Sequence, residues 1–537
     1  MTGAPAIRPR FATLTDMLDA AARSDQSLFF VDRTENDTEV PMAEVRRQAR
    51  ELAAGLRAAG VRVGDRVALI LPTCPDFVAA FFGVLYAGAV PVPLYPPVRL
   101  GQLDEYRQRT VAMLHAVTAT LVITEDRIRP LLDGTATRCV TTAELRGAGD
   151  AGPIMSGADD LALIQFSSGT THDPKPVALT HRNLLSNIAA ITDYFAHAGM
   201  PDQVGVTWLP LYHDMGLIGN LLTAFYLACP LVLLPPELFL AVPAAWLRAI
   251  SRHRGTVTAA PNFAFGLCLK RIRDDDLAGV DLSSWRLCLN GAELASAQIQ
   301  RRFSDRFGRW GFDASAFTPV YGLAEASLAV TFKPAGSMFR SIQVDDKELV
   351  STGRPLAGVE VEVRDDDGRP LPPGRPGHIF VRGPSVMAGY FGRPDLTEQA
   401  VRDGWLDCGD LGFIDSDELF VTGRSKETVV IRGANHAPQD FEEALDGLPG
   451  VRTGCAVAVG YLPADAQDEA LALLVETTPE ATASLAGEVA ARVLHHTGIA
   501  VHHVELLAPG TLPRTSSGKM RRLEARARWL AGTLSPC

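Results

Sequence analysis

Two stretches of this chain, far apart in sequence, carry residue types that could do chemistry. The run FSSGTTHDPKPVALTHRNLL at 166–185 follows an apolar strand pattern, precedes a helical one, and crowds hydroxyls, a glycine and Lys175 into one loop. Backbone N–H groups, hydroxyl donors and a cation gathered in this way suit phosphate oxygens. No Gly-Lys-Ser/Thr closes the run, so it is not a nucleoside-triphosphatase P-loop, and a kinase-like phosphoryl transfer is disfavoured. Taken alone, the loop is equally well the capped start of a helix. The second stretch places Lys519 in a Ser-Ser-Gly-Lys turn near the C-terminus, where a lone lysine is ordinarily just exposed charge.

Further motifs decide between these readings. WLPLYHDMGLIGN (208–220), NGAEL (290–294), YGLAEAS (321–327), GWLDCGDLGFID (404–415), VTGRSKETVVIRG (421–433) and LPRTSSGKMRR (512–522) follow the loop in this order. Together they resemble the adenylate-forming superfamily of acyl-CoA synthetases, peptide-synthetase adenylation domains and luciferases, over roughly residues 30–525. PLYHDMGLIG, YGLAEA and RGANHAPQDFE are most similar to fatty-acyl-AMP ligases.

The resemblance implies roles for individual residues. Ser167, Ser168, Gly169, Thr170, Thr171 and Lys175 would lie along the ATP phosphates, and Glu325 would hold Mg2+. Asp410 would accept hydrogen bonds from the ribose hydroxyls, which suits a carboxylate because it accepts at two oxygens. Arg424 would also reach the nucleotide, and Gly291, Ala292, Glu293, Tyr321 and Gly322 would flank adenine or the acyl-phosphate. His213 and Asp214 would sit at the mouth of an acyl pocket that Met215, Gly216, Asn262 and Phe263 help to line. Lys519 would bridge carboxylate and α-phosphate as the adenylate forms, which is electrostatic rather than acid–base work. Lys519, Glu325 and His213 are thus the catalytic candidates. Lys426 would be the hinge about which the C-terminal domain rotates between adenylating and thioester-forming poses.

Three departures from the family pattern bear on the reaction. His172 and Pro176 stand where the loop usually has glycine, and proline removes an N–H donor while pushing Lys175 away from helical dihedrals. Cys408 replaces the usual threonine before Gly-Asp. The segment after YGLAEAS, where fatty-acyl-AMP ligases carry an insertion that restrains the C-terminal domain, looks shortened to MFRSIQVDDKELVSTGRP. A shortened insertion favours coenzyme A as acceptor. The leading expectation is an acyl-CoA synthetase-like enzyme that uses ATP, Mg2+ and a carboxylic acid to make acyl-AMP, then an acyl thioester of coenzyme A. The alternatives are an acyl-AMP ligase feeding a carrier protein, an adenylation-deficient enzyme that takes preformed acyl-AMP, and a non-catalytic acyl- or nucleotide-binding relative.

The elements that must position these residues read as α/β. Helical periodicity in MAEVRRQARELAAGLRAAG ends on Gly60. Strand patterns at 66–71, 89–94, 121–124, 162–166, 204–209, 231–235, 256–261 and 286–291 alternate with helices, which predicts largely parallel sheets. From about 350, VEVEVRDDDGRPLPPGRPGHIFVRG predicts an antiparallel β-rich subdomain. The expected division is an N-terminal acyl/AMP-binding domain over 1–423, a hinge at 424–426, and a small mobile α+β domain over 427–537. At 537 residues, more than one hydrophobic core is required. A net charge of −11 argues against nucleic acid as the main partner. Eight cysteines without CxxC spacing suit a reducing compartment. With no signal-peptide core and no run long enough to span a membrane, a cytoplasmic enzyme is expected. The acyl-pocket candidates at 208–225 and 261–267 are apolar, in keeping with a hydrophobic or bulky acid.

Overall fold

The computed structural model describes all residues except 98–102, 133–134, 136, 168–174, 201, 345–346, 432–433, 464–468 and 516–518. Ser168, Gly169, Thr170, Thr171 and His172 therefore lie outside the described residues.

The helix Met42–Ala58 ends as its sequence predicts, with Gly60 at a φ of 93°. It packs against Pro75–Tyr86, where every residue from Phe77 onward is buried. Gly83 makes that packing possible, because a Cβ there would come within 2.9 Å of the Leu52 Cβ. The same region holds a four-stranded parallel sheet of Val90–Pro93, Arg66–Ile70, Leu121–Thr124 and Arg138–Val140.

A larger sheet forms the body of the molecule. Its parallel part runs Phe317–Gly322, Leu287–Asn290, Val257–Ala260, Gly205–Thr207, Leu231–Leu233 and Ser27–Val31. The strand Phe317–Gly322 pairs parallel on one side and antiparallel with Ala329–Phe332 on the other. Through it the antiparallel strands predicted beyond 350 continue the same sheet: Lys347–Pro355, Glu418–Arg424, Trp405–Asp415, Gly377–Arg382 and Glu360–Arg364. Beneath the parallel part, the rings of Trp246, Phe265, Trp285, Phe303, Phe312 and Phe317 meet largely edge to face at 5.0–6.1 Å. Truncating any one of these to alanine would cost about 3–5 kcal/mol.

Beyond Val429 the chain buries its apolar side chains in clusters of its own. In the strands Val451–Tyr461 and Ala470–Thr477, Ala456, Ala458, Leu471 and Leu473 face one cluster while Val457, Val459, Ala472 and Leu474 face another. This period-two alternation covers both faces of the sheet, which His503–Leu507 completes. Among the described residues, no helix is long and apolar enough to cross a membrane.

Candidate active site

A cleft of about 2540 Å³ opens between the large sheet and the C-terminal segment, and most of the candidate residues line it. Cross-strand pairing explains why Asp410 and Arg424 belong together. They are directly opposite in the antiparallel pair Trp405–Asp415 and Glu418–Arg424, with Arg424 Nε 3.3 Å from Asp410 Oδ1. The Tyr321 hydroxyl donates to Asp410 Oδ2 at 2.7 Å. Burial raises the Asp410 carboxyl above the ordinary range, and Arg424 and Tyr321 draw it back down. Cys408, two residues before Asp410, donates its thiol to the Leu406 carbonyl at 3.9 Å, and burial holds that thiol well above its usual pKa.

Glu325 sits in a single 3-10 turn, Ala324–Ala326, after a bulge at Tyr321/Gly322. Gly322 is required there, since a Cβ would lie 1.7 Å from the Leu328 carbonyl oxygen. Burial raises the Glu325 carboxyl, opposed by a hydrogen bond from Tyr390 at 3.0 Å and by the charges of Arg424 and Lys175. Lys175 is itself held below the usual lysine range by burial, against the pull of Glu325. Among the described residues, no group of three or more His, Cys, Asp or Glu gathers to hold a metal. One carboxylate beside a phosphate site nonetheless fits magnesium, which keeps most of its ligands as water and substrate phosphate.

Lys519 reaches the same cleft from the C-terminal side. Its turn is closed by Thr515 N–H donating to the Lys519 carbonyl at 2.7 Å and by Lys519 N–H donating to Thr515 Oγ1 at 3.0 Å. Burial, then Arg424, hold the ammonium below the usual lysine range, against the attraction of Asp214, Glu293 and Asp410. The lysine that sequence alone would leave on the surface is thus brought among the charges of four distant motifs.

His213 Nδ1 lies 2.7 Å from Asp214 Oδ1, and Asp214 also accepts from Met215 N–H at 2.7 Å at the start of a π-helix, Met215–Leu222. Burial would raise the Asp214 carboxyl, but His213, Lys519 and that N–H more than offset it and the pKa is lowered. Gln165 Nε2 donates to the Tyr212 carbonyl at 2.8 Å and so ties this motif to the strand leading into the phosphate loop. Met215, Asn262 and Phe263 line the apolar side of the cleft together with Trp208 and Leu267. Phe263 N–H donates to Glu293 Oε2 at 3.1 Å. Ala292, beside Glu293, has a φ of 69°, a left-handed conformation uncommon for alanine and typical of functional turns.

Gly216 and Gly291, both expected at the site, are also positions of tight packing. Gly216 allows close approach of the Pro210 carbonyl, 2.2 Å from a notional Cβ, and Gly291 does the same for Val320 Cγ2 at 2.6 Å. A correction concerns the phosphate loop. It does not lead into a helix: Leu161–Phe166 and Pro176–Thr180 are antiparallel partners, and the helix His181–His197 starts one strand later under a Thr180–Asn183 capping box. The N-terminus of His181–His197 is therefore one strand away from the loop, and among the described residues at its edges Lys175 supplies a positive charge. Pro176 opens the second strand opposite Phe166, while the neighbouring pair carries the ladder bond from Ser167 N–H to the Lys175 carbonyl at 3.0 Å. The proline therefore costs the hairpin no donor, and Lys175 has no helical conformation to lose. Tyr390, which the sequence reading did not single out, belongs to the site as well; its signal was the Gly-Tyr pair at 389–390, where Gly389 has a φ of 147°.

The family model described as AMP-binding enzyme matches residues 18–391. A putative acyl-CoA synthetase of Caulobacter vibrioides is 35% identical, over 97% of this chain and 96% of its own. A medium-chain-fatty-acid–[acyl-carrier-protein] ligase of Moorena producens is 31% identical, over 98% and 96% respectively. A solved structure from a study of fatty acyl-adenylate ligases from E. coli and L. pneumophila superposes with a TM-score of 0.92 at 34% identity, over 98% of this chain and 99% of the other. With seven ordered motifs converging on one cleft and these relatives spanning nearly its whole length, the chain belongs to the AMP-binding, adenylate-forming ligase family.

Proposed function

We propose that the protein activates a fatty carboxylic acid with ATP and passes the acyl group to the thiol of a carrier protein. The observation that carries the reading is Lys519, half-buried in the cleft that Asp214, Glu293, Asp410 and Arg424 also line, where both halves of an acyl-adenylate would meet. The substrate carboxylate enters between His213–Asp214 and the apolar wall. One of its oxygens attacks the α-phosphorus, a P–O bond forms, the bond to the β-phosphate oxygen breaks, and pyrophosphate leaves. Lys519 offsets charge on the carboxylate and α-phosphate, Asp410 accepts from the ribose hydroxyls, and Lys175 faces the departing phosphates. Glu325 would hold a magnesium ion, which supplies charge neutralisation at the phosphate oxygens. In the second half, a thiolate attacks the acyl carbonyl and AMP leaves.

The carrier-protein acceptor replaces the expectation of coenzyme A for a local reason. The segment that looked shortened forms the hairpin Ser341–Val344 and Lys347–Pro355, and Lys347 Nζ makes an ion pair with Asp440 of the helix Pro438–Glu443. We read this hairpin as a compact form of the restraining element, since it touches the segment that would have to rotate about Lys426. Coenzyme A stays as a second reading, because that single pair is partly exposed.

The test incubates the enzyme with fatty acids of graded length, ATP and magnesium, alone, with coenzyme A, and with a phosphopantetheinylated carrier protein. Pyrophosphate release with acyl transfer to the carrier alone is the expected outcome. Acyl-CoA formed at a comparable rate would establish the second reading. Thioester from synthetic acyl-AMP without any pyrophosphate from ATP would overturn the adenylating half.

A further inference from the structure

Glu325 and Lys175 come from elements that share no strand: one lies in a turn after Phe317–Gly322, the other at the head of Pro176–Thr180. A third segment, 387–391, joins them. On one side Met387 N–H donates to the Glu325 carbonyl at 2.8 Å, and the Tyr390 hydroxyl donates to Glu325 Oε1 at 3.0 Å. On the other, Ala388 N–H donates to the Ala178 carbonyl at 3.0 Å and Phe391 N–H to the Pro176 carbonyl at 2.8 Å, so Gly389–Tyr390 forms a third strand beside the phosphate-loop hairpin. The Lys175 ammonium stands 4.8 Å from the centroid of the Tyr390 ring. Thr397 Oγ1 accepts from Tyr390 N–H at 2.9 Å, and the side chain is 6% exposed. One tyrosine therefore engages the carboxylate with its hydroxyl and the ammonium with its ring face.

We infer that Tyr390 is a positioning residue of the adenylation half-reaction, setting the Glu325 carboxylate for the metal and Lys175 for the phosphates in a single rigid unit. The inference rests on the proposed adenylating function, but it separates into two contacts that can be removed one at a time. Tyr390→Phe keeps the ring beneath Lys175 and deletes only the hydrogen bond to Glu325. Tyr390→Leu deletes both.

The readout is binding of manganese with ATP to the enzyme in the absence of any acid, followed by the spin-label-free electron paramagnetic signal of Mn2+, alongside the magnesium dependence of pyrophosphate release. Tyr390→Phe is expected to weaken metal binding about tenfold, the scale seen when a partner that orients a metal ligand is lost. It should leave kcat at saturating metal within about twofold and leave affinity for an acyl-sulfamoyl-adenosine, which carries no β- or γ-phosphate, unchanged. Tyr390→Leu should in addition raise the KM for ATP. Melting temperatures read alongside separate these effects from unfolding, and the acyl-sulfamoyl-adenosine affinity reports an intact site. Unchanged manganese affinity in both folded variants would overturn the inference. A wild-type enzyme that binds manganese with ATP yet releases no pyrophosphate would sink the adenylating function while leaving the role of Tyr390 supported by its binding data.

Discussion

The pose of the C-terminal segment decides whether Lys519 is in the site, and Arg109 offers a way to measure what holds it. Glu524, near the start of the last helix, Arg522–Leu530, has a fully buried side chain that accepts from Arg521 at 2.9 Å and Arg528 at 2.5 Å. A third arginine, Arg109, comes across the cleft from the helix Leu103–Ala116 and meets it at 2.5 Å. Burial would raise the Glu524 carboxyl, but these three guanidiniums more than offset it and its pKa is lowered. Arg109→Leu cuts one of two ion pairs between these helices, leaving Arg528 paired with Glu105 at 2.5 Å, and leaves Glu524 with two partners, so the C-terminal fold keeps its own cluster. A charge-assisted hydrogen bond to a buried carboxylate contributes about 1.5–3 kcal/mol, or about 10–150-fold in the docked-to-undocked equilibrium. The Lys347–Asp440 pair is 42% and 21% exposed, which places it below about 1 kcal/mol. Arg109→Leu should therefore slow pyrophosphate release about 40-fold, taking the middle of that range, with no loss of acyl transfer from synthetic acyl-AMP, while Lys347→Ala slows release less than about fivefold. Both rates are read on the same preparation, with the melting temperature as control. Adenylation by Arg109→Leu within twofold of wild type would refute the reasoning, as would a larger loss in Lys347→Ala.

Lys519→Met should lower adenylation by about 10²–10³-fold, the scale of losing one preorganised charge, and spare transfer from preformed acyl-AMP; parallel single-turnover rates check it. Pro176→Gly should change pyrophosphate release by less than about twofold, because the hairpin has no ladder bond for the restored N–H to make; a large gain would show that the proline does impair phosphate binding. His181 is buried, its Nδ1 accepts from Leu14 N–H at 3.0 Å, and burial lowers its pKa from 6.5 to about 4. Its neutral form stabilises the fold fully above pH 6.5. That contribution falls away as the pH drops from 6.5 towards 4, by about 3 kcal/mol at about 1.4 kcal/mol per pH unit. Chemical denaturation between pH 4 and 7 should show this slope, and His181→Asn should flatten it.

What the sequence made legible follows how locally each feature is specified. Apolar runs such as RVALI and LVIT place their own strands, and Gly60 stops its own helix, because the deciding contacts are short-range or simply count buried methyls. The pairing of Asp410 with Arg424 was visible as two motifs but not as one site, since only strand register makes residues 14 positions apart direct neighbours. The phosphate loop was misplaced before a helix for a related reason. PVALT is too short for periodicity to separate it from the helix that follows, and its strand character comes from partners at 161–166 and 389–390.

Tyr390 is the sharper case of the same limit. Apart from the Gly389 before it, nothing in its neighbourhood of sequence distinguishes it from a core tyrosine, and by burial alone it is one. Its meaning arises from where three segments meet: a hairpin that brings Lys175, a turn that brings Glu325, and a two-residue strand whose flanking N–H groups, from Met387, Ala388 and Phe391, are spent on both. Lys519 and Arg109 depend likewise on the docking of a segment that carries cores of its own. On the nucleotide side, Tyr321, Asp410 and Arg424 stand on the large sheet and Glu325 in the turn after one of its strands, while Lys175 and Tyr390 belong to the separate three-stranded sheet of Leu161–Phe166, Pro176–Thr180 and Gly389–Tyr390. Lys519 arrives on a segment with apolar clusters of its own, tied to the helix Leu103–Ala116 through Glu524 and the arginines around it. On the proposed function, that division would let the same cleft serve two half-reactions: the charge needed for the first could leave without disturbing the residues that hold the adenylate for the second.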